Sequence, residues 1–121
     1  MTPTEHADRP NHLSAEHHVI DGVRVMTLRG EIDHDVQEVL REALLGEGGT
    51  MPARIVADLS GVTFMDSSGV NVFIAAHLQT TEAEGWLRIA GARHAVLRVL
   101  QATGVDTFIP CHPSVEQALT D

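Results

Sequence analysis

The composition of the chain, 121 residues of which 43% are hydrophobic, is that of one globular domain able to bury about two-thirds of its unfolded surface. Eight Lys and Arg against 17 Asp and Glu give a formal charge of −9, which would repel phosphates and anionic lipid, so neither nucleic acid nor membrane is an expected partner. A lone cysteine excludes an internal disulfide, and without a spanning apolar run of ~18–20 residues or a secretion signal the expected location is the cytoplasm.

Residues 1–16 are predicted to form a flexible leader, because they combine prolines and charges with little apolar surface. The domain is therefore expected to span residues 17–121. It should open with two strands, His18 to Ile20 and Val23 to Gly30, joined by the hairpin signal Asp21-Gly22. These two strands should pair antiparallel.

The segment from Asp35 to Leu45 is predicted to form the first helix, since its apolar residues recur with helical spacing and place Val39 on the inward stripe. Ile55 to Leu59 form a compact apolar run. Such a run is typical of a central strand buried on both faces, and Ser60-Gly61 is expected to end it.

A second helix is predicted from about Ser68 to Thr80, with Asp66 or Ser67 as its N-cap and Leu78 on its inward stripe. The remaining elements are predicted in the order strand, helix, brief edge strand and helix, at Trp86–Ala90, Ala92–Thr103, Thr107–Ile109 and Ser114–Thr120. This succession indicates a single α/β domain, with a mixed, mostly parallel sheet of about five strands and four helices.

The most informative stretch of the sequence runs from Asp58 to Gly69, between the predicted central strand and the second helix. Ligand and partner sites in open α/β sheets collect at such strand ends. The backbone N–H groups and the dipole at a helix start would favour a phosphate on Ser67. Asp-Ser-Ser-Gly is equally a good N-cap sequence, and on physical grounds alone capping is the preferred interpretation.

The same stretch closely resembles the signature of the STAS-domain anti-sigma factor antagonists, the SpoIIAA-like proteins. Gly30 to Asp33 is similar to the family's Gly-Glu-Leu-Asp, and Thr103-Gly104-Val105 to its Ser/Thr-Gly-Leu turn. The resemblance covers about residues 17–121. The chain departs from the family pattern at Ile32 and Val70, where leucine is usual, and in its longer leader.

The resemblance implies an anti-sigma factor antagonist whose partner is both an anti-sigma factor and a serine kinase. Unmodified protein would bind this partner and release a sigma factor, whereas phosphorylation on Ser67 would prevent binding until a serine phosphatase acts. The family pattern also implies that Asp33, Asp66, Ser68 and Gly69 belong to the partner-binding surface around Ser67. The two aspartates could instead only cap helices.

Two alternatives follow from the residues. A serine hydrolase using Ser67 with His77 or His94 lacks a Gly-x-Ser-x-Gly elbow, and His77 would lie roughly 15 Å along the same helix, so the chain is not expected to be an enzyme. A STAS scaffold or ligand-sensing module that is never phosphorylated is the second alternative. No cofactor or metal is expected, because the chain has no Walker loop and its leader histidines lack metal-ligand spacing.

Overall fold

A five-stranded mixed sheet, in the order β1-β2-β3-β4-β5, is the centre of the computed structural model, which describes residues 13–46 and 54–120. The strands are β1 (Ser14–Ile20), β2 (Val23–Ile32), β3 (Arg54–Met65), β4 (Trp86–Ala90) and β5 (Cys111–His112). The α-helices are α1 (Gln37–Leu45), α2 (Ser67–Glu82), α3 (His94–Ala102) and α4 (Val115–Thr120), and 3₁₀ turns cover His34–Val36 and Val105–Thr107. The predicted fold class, an α/β domain with about five strands and four helices, is confirmed. None of the helices in the described ranges has both the length and the apolar character that crossing a bilayer requires.

The chain enters the sheet through an antiparallel hairpin. β1 pairs with β2 from Ser14 opposite Arg29 to Ile20 opposite Val23, and all later strand pairs are parallel. Asp21 and Gly22 both have positive φ, 52° and 81°, as a two-residue type I′ turn requires. The hairpin signal in the sequence therefore predicted this turn correctly.

The two faces of the sheet are covered unequally. One face packs against α1, α2 and α3 in the main core, where Phe73 of α2 is fully buried. The other face carries a small cluster of Val23, Val25, Val56 and Ala90 beneath Ala118 of α4. Parallel strands buried on both faces lack the polar alternation of a half-exposed strand, which is why the apolar run in β3 identified the sheet centre.

Arg88 stabilises the contact between α4 and the face of the sheet that α4 covers. The Arg88 guanidinium lies 3.8 Å from the centre of the Trp86 ring and donates a hydrogen bond from Nη1 to the Ala118 carbonyl at 2.7 Å. A cation near the last carbonyls of a helix also interacts favourably with the helix dipole. This short helix is thus held by one stacked and hydrogen-bonded side chain as well as by apolar contact.

The prediction that Ser60-Gly61 ends the central strand is wrong. β3 continues to Met65, and its extension pairs with β2 after a register shift that sets Gly61 opposite Arg29. A Cβ on Gly61 would lie 2.7 Å from Arg29 Cγ, so the glycine permits a close approach of two strands here instead of a turn.

The predicted edge strand at Thr107–Ile109 is also wrong. Val105–Thr107 forms a 3₁₀ turn, and the edge strand is the two-residue β5 at Cys111–His112. Gly104, with φ 79°, adopts the left-handed conformation that favours glycine after a helix, and the chain turns tightly from there, so Ile109 is buried outside the sheet.

Two residues placed on inward helical stripes are exposed in the structure. Val39 of α1 is 43% exposed and Leu78 of α2 is 59% exposed, whereas Val72 and Ala76 of α2 are fully buried. α2 contacts both α1 and the sheet, so its buried face is centred differently from the stripe predicted for contact with a sheet alone.

Residues on the N-terminal side of the predicted boundary at residue 17 belong to the described fold. β1 starts at Ser14, and Leu13 is 2% exposed within the main core. A single leucine in a polar context gives no periodic signal, which is why the sequence placed it in the leader. Residues 1–12 of that leader lie outside the described residues.

Candidate functional site

The Asp-Ser-Ser-Gly turn lies where the extended central strand ends and α2 begins. The last residues of β2 and β3, Ile32 and Met65, are register partners. The backbone N–H of Asp66 then donates to the Ile32 carbonyl at 3.1 Å, so the turns that follow the two strands are held side by side. The structure thereby brings Asp33 and the Asp66–Gly69 segment together at the carboxyl ends of β2 and β3.

Both aspartates cap helices in the same way. Asp66 Oδ1 accepts a hydrogen bond from the Ser68 N–H at 2.9 Å, and Asp33 Oδ1 accepts one from the Asp35 N–H at 3.0 Å. Both residues have extended backbones, with φ −113° at Asp66 and −130° at Asp33. Capping, the alternative that the sequence left open for both aspartates, is therefore what these carboxylates do in the folded chain. Capping leaves each carboxylate near the surface, where both residues are partly exposed.

Ser67 is the exposed hydroxyl of the turn. It is the first residue of the 16-residue α2 and is exposed, whereas Ser68 is half-buried. The Asp66 backbone carbonyl accepts hydrogen bonds from the N–H groups of Gly69 and Val70, at 3.1 and 3.3 Å, which closes the first turn of the helix. Of the two serine side chains, that of Ser67 is therefore the more accessible.

Gly69 lies beneath the turn and not on its surface. It is buried, and a Cβ at this position would lie 2.6 Å from Ile32 Cγ2 and 2.9 Å from Met65 Cγ. Only a residue without a side chain lets the first turn of α2 pack this closely on the ends of β2 and β3. Gly69 therefore contributes to the site by fixing the position of the two serines.

Gly69→Ala should destabilise the fold by a net ~1–2 kcal/mol. Overpacking costs about 1–3 kcal/mol, and the two contacts shorter than 3.0 Å place this site in the upper part of that range, while the better helix propensity of alanine returns about 1 kcal/mol. Urea unfolding would measure the change. Asn71→Ala, an exposed position on the same helix, is the matched control and should change stability by less than ~0.5 kcal/mol. A Gly69→Ala protein as stable as the wild type would show that the packing at the turn is loose.

Phe64 is a surface residue of this region that the sequence did not single out. It is 47% exposed, on the part of β3 that pairs with Glu31, two positions before Asp66. Beside it, the Thr63 hydroxyl donates to the Gly30 carbonyl at 3.4 Å. Exposed aromatic rings are enriched in protein contact surfaces, so Phe64 is a candidate contact residue at this end of the sheet. The signal in the sequence was the Phe-Met pair before Asp66, of which the core takes only Met65.

The described residues hold no group of three or more His, Cys, Asp or Glu side chains arranged for a metal ion. Two histidines were considered as a base for Ser67. His77 is half-buried further along α2, with its ring centre 5.0 Å from that of Phe108, and His94 is the exposed first residue of α3. Burial, together with the charge of Asp106, raises the pKa of Cys111 to about 11, so this thiol is protonated and unreactive at neutral pH.

Comparison with known proteins identifies a family and several relatives. The STAS domain family model matches residues 14–118. An anti-sigma F factor antagonist of Paenibacillus polymyxa is 28% identical over 113 residues, which cover 90% of this chain and 92% of that protein. The anti-sigma-F factor antagonist RsfA of Mycobacterium tuberculosis is 31% identical over 110 residues, which cover 87% of this chain and 82% of RsfA. The crystal structure of an anti-sigma factor antagonist from Mycobacterium paratuberculosis superposes with a TM-score of 0.84 at 28% identity, and covers 93% of this chain and 95% of that one.

Proposed function

Because the chain belongs to the STAS domain family, we propose that it is an anti-sigma factor antagonist, which binds an anti-sigma factor with serine kinase activity and is inactivated by phosphorylation on Ser67. The observation that carries the proposal is the exposed Ser67 hydroxyl at the first position of α2, beside the turn that holds Asp33. Relatives named as anti-sigma factor antagonists, aligned over most of their length, support the same function.

In this proposal the chain is a substrate and a binding partner. A protein kinase supplies the nucleotide, the magnesium ions and the catalytic base, so the acceptor needs only an accessible hydroxyl in a fixed position. Ser67 meets this requirement because Asp66 caps the helix through Ser68, and Gly69 packs the turn against Ile32.

The charge of a phosphate on Ser67 would be only partly neutralised within the chain. The modification adds about −1.5 to −2 charge at neutral pH. The first helical N–H groups already donate to Asp66: that of Ser68 to its carboxylate, those of Gly69 and Val70 to its carbonyl. A helix N-terminus offers an anion about 0.3–1 kcal/mol, which is less than the cost of burying a dianion near the carboxylates of Asp66 and Asp33 in an interface. The phosphate would therefore oppose docking of the partner, and its exposed position would leave it open to a serine phosphatase.

Phosphorylation with candidate anti-sigma kinases and ATP, followed by mass-spectrometric site mapping, tests the proposal. Wild type and Ser68→Ala should each gain one phosphate on Ser67, while Ser67→Ala should gain none. Ser67→Ala and Ser68→Ala are matched, since each removes one hydroxyl from adjacent positions of the same turn. A phosphate that maps to Ser68 would overturn the site assignment. Binding of an anti-sigma factor with no phosphorylation by any cognate kinase would favour the unmodified scaffold.

A further inference from the structure

The outer edge of β1 carries features that the proposed function leaves unused. In the sheet formed by residues 13–46 and 54–120, β1 is an edge strand whose only neighbour is β2. Six of its seven residues, Ser14 to Val19, are exposed. Its sequence contains neither lysine nor proline, and its register with β2 is continuous. Glu16 is its one carboxylate, and the strand lacks the lysines, prolines and bulges that commonly protect an edge strand from further pairing.

The hairpin geometry decides which backbone groups of β1 point outward. In a two-residue type I′ hairpin the residues flanking the turn, here Ile20 and Val23, exchange backbone hydrogen bonds, and hydrogen-bonded pairs then alternate along the ladder. Ala15, His17 and Val19 are consequently the residues whose N–H and C=O groups face away from β2. They offer another strand three donors and three acceptors in regular spacing.

The sequence of β1 is complementary to itself about His17. If a second copy pairs antiparallel with His17 opposite its own equivalent, Glu16 lies opposite His18 of the other copy, and each such pair occurs twice. Ala15 then lies opposite Val19 of the other copy, also twice. Cross-strand pairs of an acid with a histidine and of two apolar residues are favourable, and the outward N–H and C=O groups fall into register in the same arrangement.

Apolar surface beside this edge would be covered by the same pairing. Val19 is 60% exposed and Val39 of α1 is 43% exposed. Val39, Ala15 and Ala43 line an open cleft of about 340 Å³ between β1 and α1. The two-fold axis of an antiparallel strand pair is perpendicular to the sheet, so the α1 helices and the clefts of both copies would lie on the same side of the joint sheet.

We propose that two copies of this chain associate through antiparallel pairing of their β1 strands, which joins two five-stranded sheets into one. The inference is independent of the role of Ser67. A contact of one short strand per copy buries less than the ~1,200–2,000 Å² of a stable interface, so the dimer should be weak, with a dissociation constant of roughly 1–100 μM, and should dissociate on dilution.

Sedimentation equilibrium of the full chain tests this association. The wild type should show a concentration-dependent dimer, and Val19→Lys should weaken it at least tenfold by placing a charge at the seam. Leu78→Lys is the matched control, because Leu78 is a large apolar residue on α2 that is 59% exposed, against 60% for Val19, and it should leave the association unchanged. His17→Pro, which removes one outward N–H from an edge position that tolerates proline, should also give a monomer.

Amide hydrogen exchange of the wild type gives a readout that needs no variant. The outward amides of Ala15, His17 and Val19 should exchange fast in dilute protein and slowly in concentrated protein, whereas those of Glu16 and His18, bonded to β2, should be slow at both concentrations. A monomer at all concentrations, protection of the outward amides that does not depend on concentration, or a dimer that persists in both Val19→Lys and His17→Pro would each overturn the proposal. The second of these outcomes would assign the edge to another part of the same chain.

Discussion

Protein phosphorylated to completion on Ser67 should bind its anti-sigma partner more than a hundredfold more weakly than unmodified protein. A loss of ~3 kcal/mol is sufficient for this change, and a dianion brought into an interface beside two carboxylates can supply it through desolvation and like-charge repulsion. Ser67→Asp carries part of that charge and should lose at least ~tenfold in affinity, while Ser67→Ala should bind about as tightly as the wild type. Titration calorimetry with the purified partner would measure all four proteins.

Ser68→Asp is the control for position. It adds the same charge one residue further along α2, at a half-buried side chain whose backbone N–H is already engaged by Asp66. If the effect is specific to the exposed serine, Ser68→Asp should bind better than Ser67→Asp, provided that circular dichroism shows both to be folded. Equal binding of Ser67→Asp and wild type would contradict the proposed switch.

Leu13→Ala should reduce the free energy of unfolding by about 2–5 kcal/mol, the usual cost of truncating a fully buried leucine and leaving a cavity. Leu13 is 2% exposed in the main core, although it precedes the first strand. Urea unfolding would measure the loss, and Val19→Ala, at a residue 60% exposed, should change stability by less than ~0.5 kcal/mol.

Two truncations of the N-terminus distinguish the contribution of Leu13 to stability from that of the residues before it. Removal of residues 1–12 should leave the melting temperature nearly unchanged, as their polar composition predicts. Removal of residues 1–16 should lower the melting temperature by many degrees, because it takes away Leu13 and the first residues of β1. If removal of residues 1–16 also leaves the melting temperature unchanged, the burial of Leu13 contributes little to stability.

Features that the sequence predicted well are those with a repeating pattern or a local chemical cause. The Asp21-Gly22 turn, the apolar run of β3 and the order of the helices each depend on neighbours in sequence, although the inward face of a helix does not always follow from its periodicity. The errors occurred where residues distant in the sequence determine the local structure. Whether Ser60-Gly61 ends a strand depends on Arg29, which lies opposite Gly61 on β2, and no local pattern contains that information.

The same distinction between local and long-range features applies to the candidate site. The cap formed by Asp66 and the position of the two serines at the start of a helix were predictable from the Asp-Ser-Ser-Gly run, because capping is a local hydrogen-bonding preference. The proximity of Asp33 was implied only by family resemblance, since it depends on the pairing of Ile32 with Met65. The buried position of Gly69 and the exposed ring of Phe64 needed the three-dimensional packing.

The position of Trp86, stacked with Arg88 beneath α4, determines what intrinsic fluorescence can detect in this protein. The chain has one tryptophan and no tyrosine, so its near-ultraviolet emission comes almost entirely from the Trp86 indole. That ring lies at the start of β4, opposite Arg54 at the beginning of β3, and β3 extends about 35 Å from there to the Ser67 turn. Fluorescence will therefore respond when α4 detaches from the sheet, and will be nearly silent to events at Ser67 unless the partner contributes chromophores of its own.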